Sequence, residues 1–330
     1  MKITFGIFLL TLLVITALAV VKARNLVVAV MLLGIFSLLL AVNFFLLDAA
    51  DVALTEAAVG AGISTVLFLG ALALTSDRED RPSSRRILSL LVVISATMVL
   101  VYATFDKPRF GDPEAPVLKH VGPWYLAETP EDIDIPNVVT AVLASYRGYD
   151  TMGEVFVVFT AGIGVMFLFA TGPGAPGSGR RRAVAEKKIG LRDELLLLVI
   201  GRLLVPFILL FGMYVQFHGE YGPCGAFQAG ALIAAGFILY ALIEGEQRAL
   251  EALPQRALTF LMVGGPLLYC GVGLAGLLLG SNFLNYSVLD ENPVLGQKMG
   301  IILIEVGVGM TVCGVLLSIF HAFACRERIR

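Results

Sequence analysis

Nine separate runs of mostly apolar residues constrain this chain more than any other feature: 3–21, 25–47, 52–75, 87–105, 151–171, 194–217, 224–244, 258–279 and 299–323. About 20 such residues suffice for a helix to cross the hydrocarbon core of a bilayer. The runs are rich in Leu, Val, Ala and Gly and lack the ten-residue alternation of an outer-membrane barrel. The expected fold is therefore all-α, a polytopic membrane protein with nine transmembrane helices. Composition agrees: the 330 residues are 58% hydrophobic and 15% charged, with mean hydropathy +0.86. Soluble domains carry about 25% charged residues. A soluble enzyme and a disordered chain are thereby excluded. So is a nucleic-acid binder, because a net charge of −2 supplies no basic field for phosphates.

Lys and Arg in the loops set the orientation. With the N-terminus outside, the inward loops (22–24, 76–86, 172–193, 245–257, 324–330) hold 17 basic residues and the outward segments hold 6. Arg202 lies within a span. The expectation is an outer N-terminus and a cytoplasmic C-terminus, in the inner (plasma) membrane. Met1-Lys2, an apolar run and Ala17-Leu18-Ala19 mimic a secretion signal. Cleavage there would turn every later span over and put the basic loops outside, so residues 3–21 are read as a true helix. A charged linker (Asp77 to Pro82) and a Gly/Pro/Arg-rich linker (Gly172 to Lys188) divide the chain. The units expected are three helices in 1–76, two helices around a long outer segment in 87–171, and four helices in 190–323. No internal repeat points to an inverted-repeat carrier.

Ionisable groups within hydrocarbon are costly and usually face a partner helix or a water-filled path. Glu56, Gly60 and Ser64, spaced i, i+4, i+8, share one face of the third span. Asp48 and Asp51 precede them, either as loop acids or as ion ligands. Before the fifth span stands Arg147-Gly-Tyr-Asp150-Thr-Met-Gly-Glu154. Asp150 and Glu154 are a like-charged i, i+4 pair, and Arg147 is placed to pair with Asp150. Asp150 also suits a plain helix N-terminus, whereas Glu154 lies deeper. In the last block Glu305 is an isolated carboxyl above Gly309, and for Arg202 simple snorkelling toward the basic cytoplasmic side is an even alternative to a functional role. His218 and Glu220 belong to a short loop where a turn role competes with a transport role. Gly271-Val-Gly273-Leu-Ala-Gly276 matches a dinucleotide-binding pattern only in letters, since no strand precedes it, and reads as helix packing. Cys224, Cys270, Cys313 and Cys325 form no C-x-x-C pair, and the three histidines do not cluster. No cofactor, resident metal centre or enzymatic constellation is expected.

The same polar stretches carry a family resemblance. Asp51-Val-Ala-Leu-Thr-Glu56-Ala-Ala-Val-Gly60 resembles the small membrane domain near the C-terminal end of the large MnhA/MrpA protein of Mrp-type Na⁺/H⁺ antiporters, a domain that also stands alone in membrane-bound hydrogenases. Asn137-Val-Val-Thr-Ala-Val-Leu through Glu154 is similar to the next domain of that protein. Residues 190–323, with Arg202-Leu-Leu-Val-Pro206, His218-Gly and Gly225-Ala-Phe-Gln228, resemble the MnhB/MrpB protein of the same antiporters. The resemblance implies an accessory membrane subunit of a multi-subunit Na⁺/H⁺ antiporter, coupled to larger subunits and lacking their long helix array. It implies proton translocation, with transient Na⁺, at Glu56, Glu154 and Glu305, and supporting roles for Asp51, Asp150, Arg147 and His218. Partners would be the other subunits, the bilayer, Na⁺ and H⁺. Two departures from the family pattern bear on this: Ser145 where aspartate is common, and Cys224, Ala226 and Ala229 in place of glycines. Two alternatives stay open. One is a scaffold whose carboxyls only hold helices together; the other is the coupling arm of a hydrogenase, respiratory or inorganic-carbon uptake complex.

Overall fold

A computed structural model describes residues 2–79, 86–109, 111–171 and 195–327, so the Gly172–Lys188 linker and the end of the charged linker lie outside the described residues. The helices are α1 (Lys2–Lys22), α2 (Leu26–Leu46), α3 (Ala50–Ala73), α4 (Arg86–Thr104), α5 (Pro116–Lys119), α6 (Val121–Asp132), α7 (Val138–Ala141), α8 (Gly148–Thr171), α9 (Leu195–His218), α10 (Ala226–Glu244), α11 (Glu246–Ala252), α12 (Gln255–Leu278) and α13 (Pro293–Glu327). Among the described residues nine of these, α1–α4, α8–α10, α12 and α13, are long and apolar enough to cross a membrane. They coincide with the nine apolar runs. No strand occurs among the described residues.

Local chemistry sets the helix ends. The Asn25 side chain accepts from the backbone N–H groups of Val27 and Val28, capping α2. The turn into α3 places Asp48 at φ +60°, a left-handed conformation that aspartate tolerates better than most residues. Gly245, at φ +94°, breaks the chain between α10 and α11. The ninth span begins earlier than its apolar run, at Pro293 rather than near residue 299. Asn292 accepts from the Val294 N–H and proline takes the first helical position, so the cap and not hydropathy sets this end. With 35 residues α13 is about 52 Å long, more than the bilayer core requires.

Small residues then decide the packing. Without a hydrophobic drive between helices in lipid, close backbone approach favours glycine. A Cβ at Gly230 of α10 would lie 2.7 Å from the Gly309 carbonyl of α13, and one at Gly307 of α13 would lie 2.8 Å from the Gly265 carbonyl of α12. Gly273 packs on Phe283 and Leu284, and Gly276 on the backbone of Asn282 and Asn285, so these two glycines seat the loop that follows α12 rather than a neighbouring helix. α13 is thus the central helix, enclosed by α10, α12 and α8. α1 packs on α2, α2 on α3, and α3 meets α10 and α13. α4 stands apart: every side chain from Ile87 to Thr104 is exposed.

Candidate ion-handling site

The third span departs from the regular α-helix on which the i, i+4, i+8 expectation rested. Residues Glu56–Ile63 form a π-helical segment between α-helical flanks, a feature concentrated at functional sites. Glu56 opens this segment, and its carboxyl folds onto Gly60. A Cβ at Gly60 would collide with that carboxyl and lie 2.9 Å from Ser37 Oγ of α2. The Glu56–Gly60 pairing therefore holds, and the polar neighbour at that spot is Ser37, on the adjacent helix.

The segment before α8 contains a second π-helical turn, Val142–Tyr146. Its loops are tied to the 219–222 turn. Asn137 Nδ2 donates to the carbonyls of Gly219 (3.1 Å) and Gly222 (2.8 Å), and Thr140 Oγ1 donates to Gly219 (2.8 Å). Ser145 Oγ meets Gln297 Oε1 at 2.8 Å, so the residue that departs from the family pattern bonds to α13. Tyr286, fully buried, donates to the Ala144 carbonyl, and Tyr269, also fully buried, donates to the Gly148 carbonyl.

Arg147 and Asp150 form the anticipated ion pair, 2.6 Å apart, with both side chains more than half exposed. Asp150 lies in the first turn of α8, where a helix-end role suffices. Glu154 is exposed on the same helix. Asp51 contributes its carbonyl: Gln228 Nε2 of α10 donates to it at 3.3 Å and to Thr55 Oγ1 at 2.7 Å, joining α3 to α10. The Asp51 carboxylate also acts on Cys224, whose thiol is pushed up first by burial and then by that charge. His218 ends α9 with its ring stacked on Tyr214 (4.7 Å) and near Tyr221 (5.9 Å), which fits the turn role.

Glu305 lies in α13 with its carboxyl against the 219–224 turn, 3.3 Å from where a Gly219 Cβ would stand. It lines a small cavity together with Gln216, Phe217, Glu220, Ile302 and Val306. Glu220 Oε1 is buried and has no hydrogen-bond partner among the described residues. Burial raises the Glu220 carboxyl above the usual carboxylate range, and the Lys298 ammonium partly offsets this. Lys298 itself is held by Asp134 at 2.6 Å.

Sequence reasoning left Gln216, Lys298, Asp134 and Glu244 out of the site and left Glu220 open between a turn role and a transport role. Lys298 stands seven residues before Glu305 on α13, a spacing that puts both on one face. That signal was available. Gln216 is uncharged within an apolar run and gave none. At the other end of the unit, Arg202 does not simply snorkel: Arg202 and Arg248 both pair with the buried carboxylate of Glu244. Nearby, His321 Nδ1 lies 4.0 Å from Glu246. Among the described residues no group of three or more His, Cys, Asp or Glu is arranged to hold a metal ion.

Comparison with known proteins places this architecture. The family described as "Domain related to MnhB subunit of Na+/H+ antiporter" matches residues 196–318, and the MbhD family, the D-type component of MBH, matches residues 11–77. A protein of Rhizobium meliloti (strain 1021), named as the probable A/B component of a K(+)/H(+) antiporter, is 26% identical over 328 residues, covering 90% of this chain. The chain spans only 32% of that relative's length. A protein of Staphylococcus aureus (strain Newman) named as antiporter subunit mnhB2 is 32% identical over 130 residues, which cover 38% of this chain and 92% of the relative. Among solved structures, the Mrp complex from Dietzia sp. DQ12-45-1b contains a chain that matches 96% of this one at TM-score 0.73 and 27% identity, over 34% of that chain. A chain of the archaeal membrane-bound sulfane sulfur reductase, a respiratory membrane complex, matches 71% of this one at TM-score 0.53 and 31% identity, over 96% of its own length.

Proposed function

Because the chain belongs to the Mrp/Mnh family of antiporter subunits, we propose that it is an accessory component of a multi-subunit antiporter that exchanges a monovalent cation for protons. In this reading it contributes carboxyls to an intramembrane path that larger antiporter-like subunits complete. It lies in the plasma membrane with its N-terminus outside. The observation that carries the reading is the Glu305 carboxyl, set within the central helix and lining a cavity with Glu220. A carboxyl kept at such a depth is costly, and exchange of a proton or cation is the usual return for that cost.

Glu56, on its π-helical segment beside Ser37, is a second station of the path. Glu154 is a third: an exposed carboxyl within a span calls for a neighbouring subunit, which would complete the path there. Carboxylate oxygens suit Na⁺ and H⁺ alike, so the donor set leaves both ions in play. The mutational test uses the assembled complex in membrane vesicles. Glu56→Gln and Glu154→Gln should each abolish exchange while the complex still assembles. Full exchange by both variants would overturn the relay.

A second reading has its own observation. The sulfane sulfur reductase chain is matched over nearly its whole length, and the MbhD family matches α1–α3. The same module would then couple ion movement to a respiratory complex, with redox chemistry on its partners. Affinity purification of the intact complex through this chain distinguishes the two, because the copurifying subunits are either antiporter-like or redox proteins.

A further inference from the structure

We propose that Arg202 and Arg248, held on the two oxygens of Glu244, bind the phosphate of an anionic phospholipid at the edge of the membrane. The inference goes beyond the exchange reading and holds whichever complex the chain serves.

Glu244 is the last residue of the span Ala226–Glu244, so its carboxylate marks one boundary of the hydrocarbon core. Arg202 Nε of α9 donates to one oxygen of this buried carboxylate, and Arg248 Nη1 of α11 donates to the other. Gly245, at φ +94°, makes the corner that returns Arg248 to Glu244 across the break between α10 and α11. A Cβ at Gly201, beside Arg202, would collide with Ile243, beside Glu244, so α9 and α10 touch at this level. One carboxylate therefore fixes two guanidiniums side by side, where they can share a second anion.

The donors for that anion are present. A guanidinium carries five N–H groups, and each of these two gives one to Glu244. No other described residue accepts from either, and the side chains are 54% and 56% exposed. Their surroundings are apolar: Leu203, next to Arg202, and Leu242 of α10 are both exposed. Unmet N–H groups facing hydrocarbon are costly. The acceptors a bilayer supplies at its boundary are lipid phosphates, whose oxygens match the planar arginine fork two at a time.

Charge and shape select the kind of lipid. Two guanidiniums and one carboxylate leave a single net positive charge, which favours a headgroup of net negative charge over a zwitterionic one. Leu203, Phe207 and Leu210, spaced i, i+4, i+7, form an exposed apolar strip on α9. The strip runs from Arg202 away from the Glu244 boundary and into the span, the course an acyl chain takes from its phosphate.

The test uses the intact complex, stripped of lipid in detergent, with its melting temperature followed against three additives. These are phosphatidylglycerol, phosphatidylcholine with the same acyl chains, and glycerol phosphate, which has the phosphate without the tails. Phosphatidylglycerol should raise the melting temperature saturably, phosphatidylcholine only weakly, and glycerol phosphate not at all. Arg248→Gln leaves the Arg202–Glu244 pair in place and should raise half-saturating phosphatidylglycerol by about tenfold, the loss expected of one charge-assisted hydrogen bond. Arg202→Gln combined with Glu244→Gln leaves no buried carboxylate unpaired and should weaken the response at least as much. Lys22→Gln removes a positive charge from the end of α1, on the membrane side where α10 also ends, and should change nothing. An equal response to phosphatidylcholine, or the same rise from glycerol phosphate, overturns the lipid site, and both comparisons need only the native complex. No response to either lipid, the result if a partner subunit covers the arginines, overturns it as well. So does unchanged half-saturation in both arginine variants, or an equal shift in Lys22→Gln, which would reduce the effect to general surface charge.

Discussion

Gly60→Ala perturbs the Glu56 carboxyl without touching its charge. The new methyl group would collide with the Glu56 carboxyl oxygen and approach Ser37 Oγ to 2.9 Å and Glu56 Cδ to 3.0 Å. All three atoms belong to side chains, and the glutamate can swing aside. The steric cost therefore falls at the low end of the roughly 1–3 kcal/mol typical of overpacking. Replacing a helical glycine by alanine returns about 1 kcal/mol. Net stability should thus change by no more than about 1–2 kcal/mol, and the complex should assemble. The carboxyl must retreat by on the order of 1 Å, however, and a displacement of that size in a working group can lower a rate by up to about 100-fold. The assay is cation-driven proton movement in vesicles, normalised to assembled complex. The expected result is a loss of tenfold or more. Gly62→Ala is the internal control, because its Cβ would meet only the Ala57 carbonyl at an ordinary 3.6 Å; exchange should persist. Full exchange by Gly60→Ala would refute the placement of Glu56 in the path, and loss of assembly would refute the steric argument.

Two further outcomes follow from other parts of the fold. Gly230→Val should behave in the opposite way, because its Cβ would stand 2.7 Å from the Gly309 carbonyl and 3.2 Å from the Cys313 nitrogen, and backbone does not yield. A loss of about 3 kcal/mol or more, on the order expected for severe overpacking, should appear as a lower yield and melting temperature of the complex. Glu220→Gln should change the pH dependence of stability. The folded state holds this carboxyl above its ordinary value, so ionising it costs the fold. That cost is absent below about pH 4.3, the unperturbed glutamate value, and grows as pH rises through the raised one. Thermal unfolding at pH 8 should therefore show the variant more stable than the native chain, with the gap closing toward pH 4.5.

The nine spans were legible because a run of about 20 apolar residues has few other stable solutions. Glu305 was legible for the converse reason, as a charge where hydrocarbon was expected. What escaped was everything that depends on contacts between distant segments. Lys298 and Asp134 are 164 residues apart, and Arg202 and Glu244 are 42 apart, so neither pair follows any helical period. Gln216 carries no charge and belongs to an apolar run, and only its burial against Gly309 marks it. The π-helical segment at Glu56 was hidden as well, since Gly60 and Gly62 permit either winding. Glu154 shows the opposite limit: its place within a span singled it out, yet within this chain it is exposed.

The most direct test compares Glu305→Gln with Glu305→Asp in the assembled complex, measuring cation-driven proton release from vesicles. Glutamine keeps the shape and removes the exchangeable group, whereas aspartate keeps the group. If Glu305 is a station on the path, the glutamine variant assembles and does not exchange, and the aspartate variant recovers a substantial fraction of the native rate. Native exchange by Glu305→Gln would contradict the account.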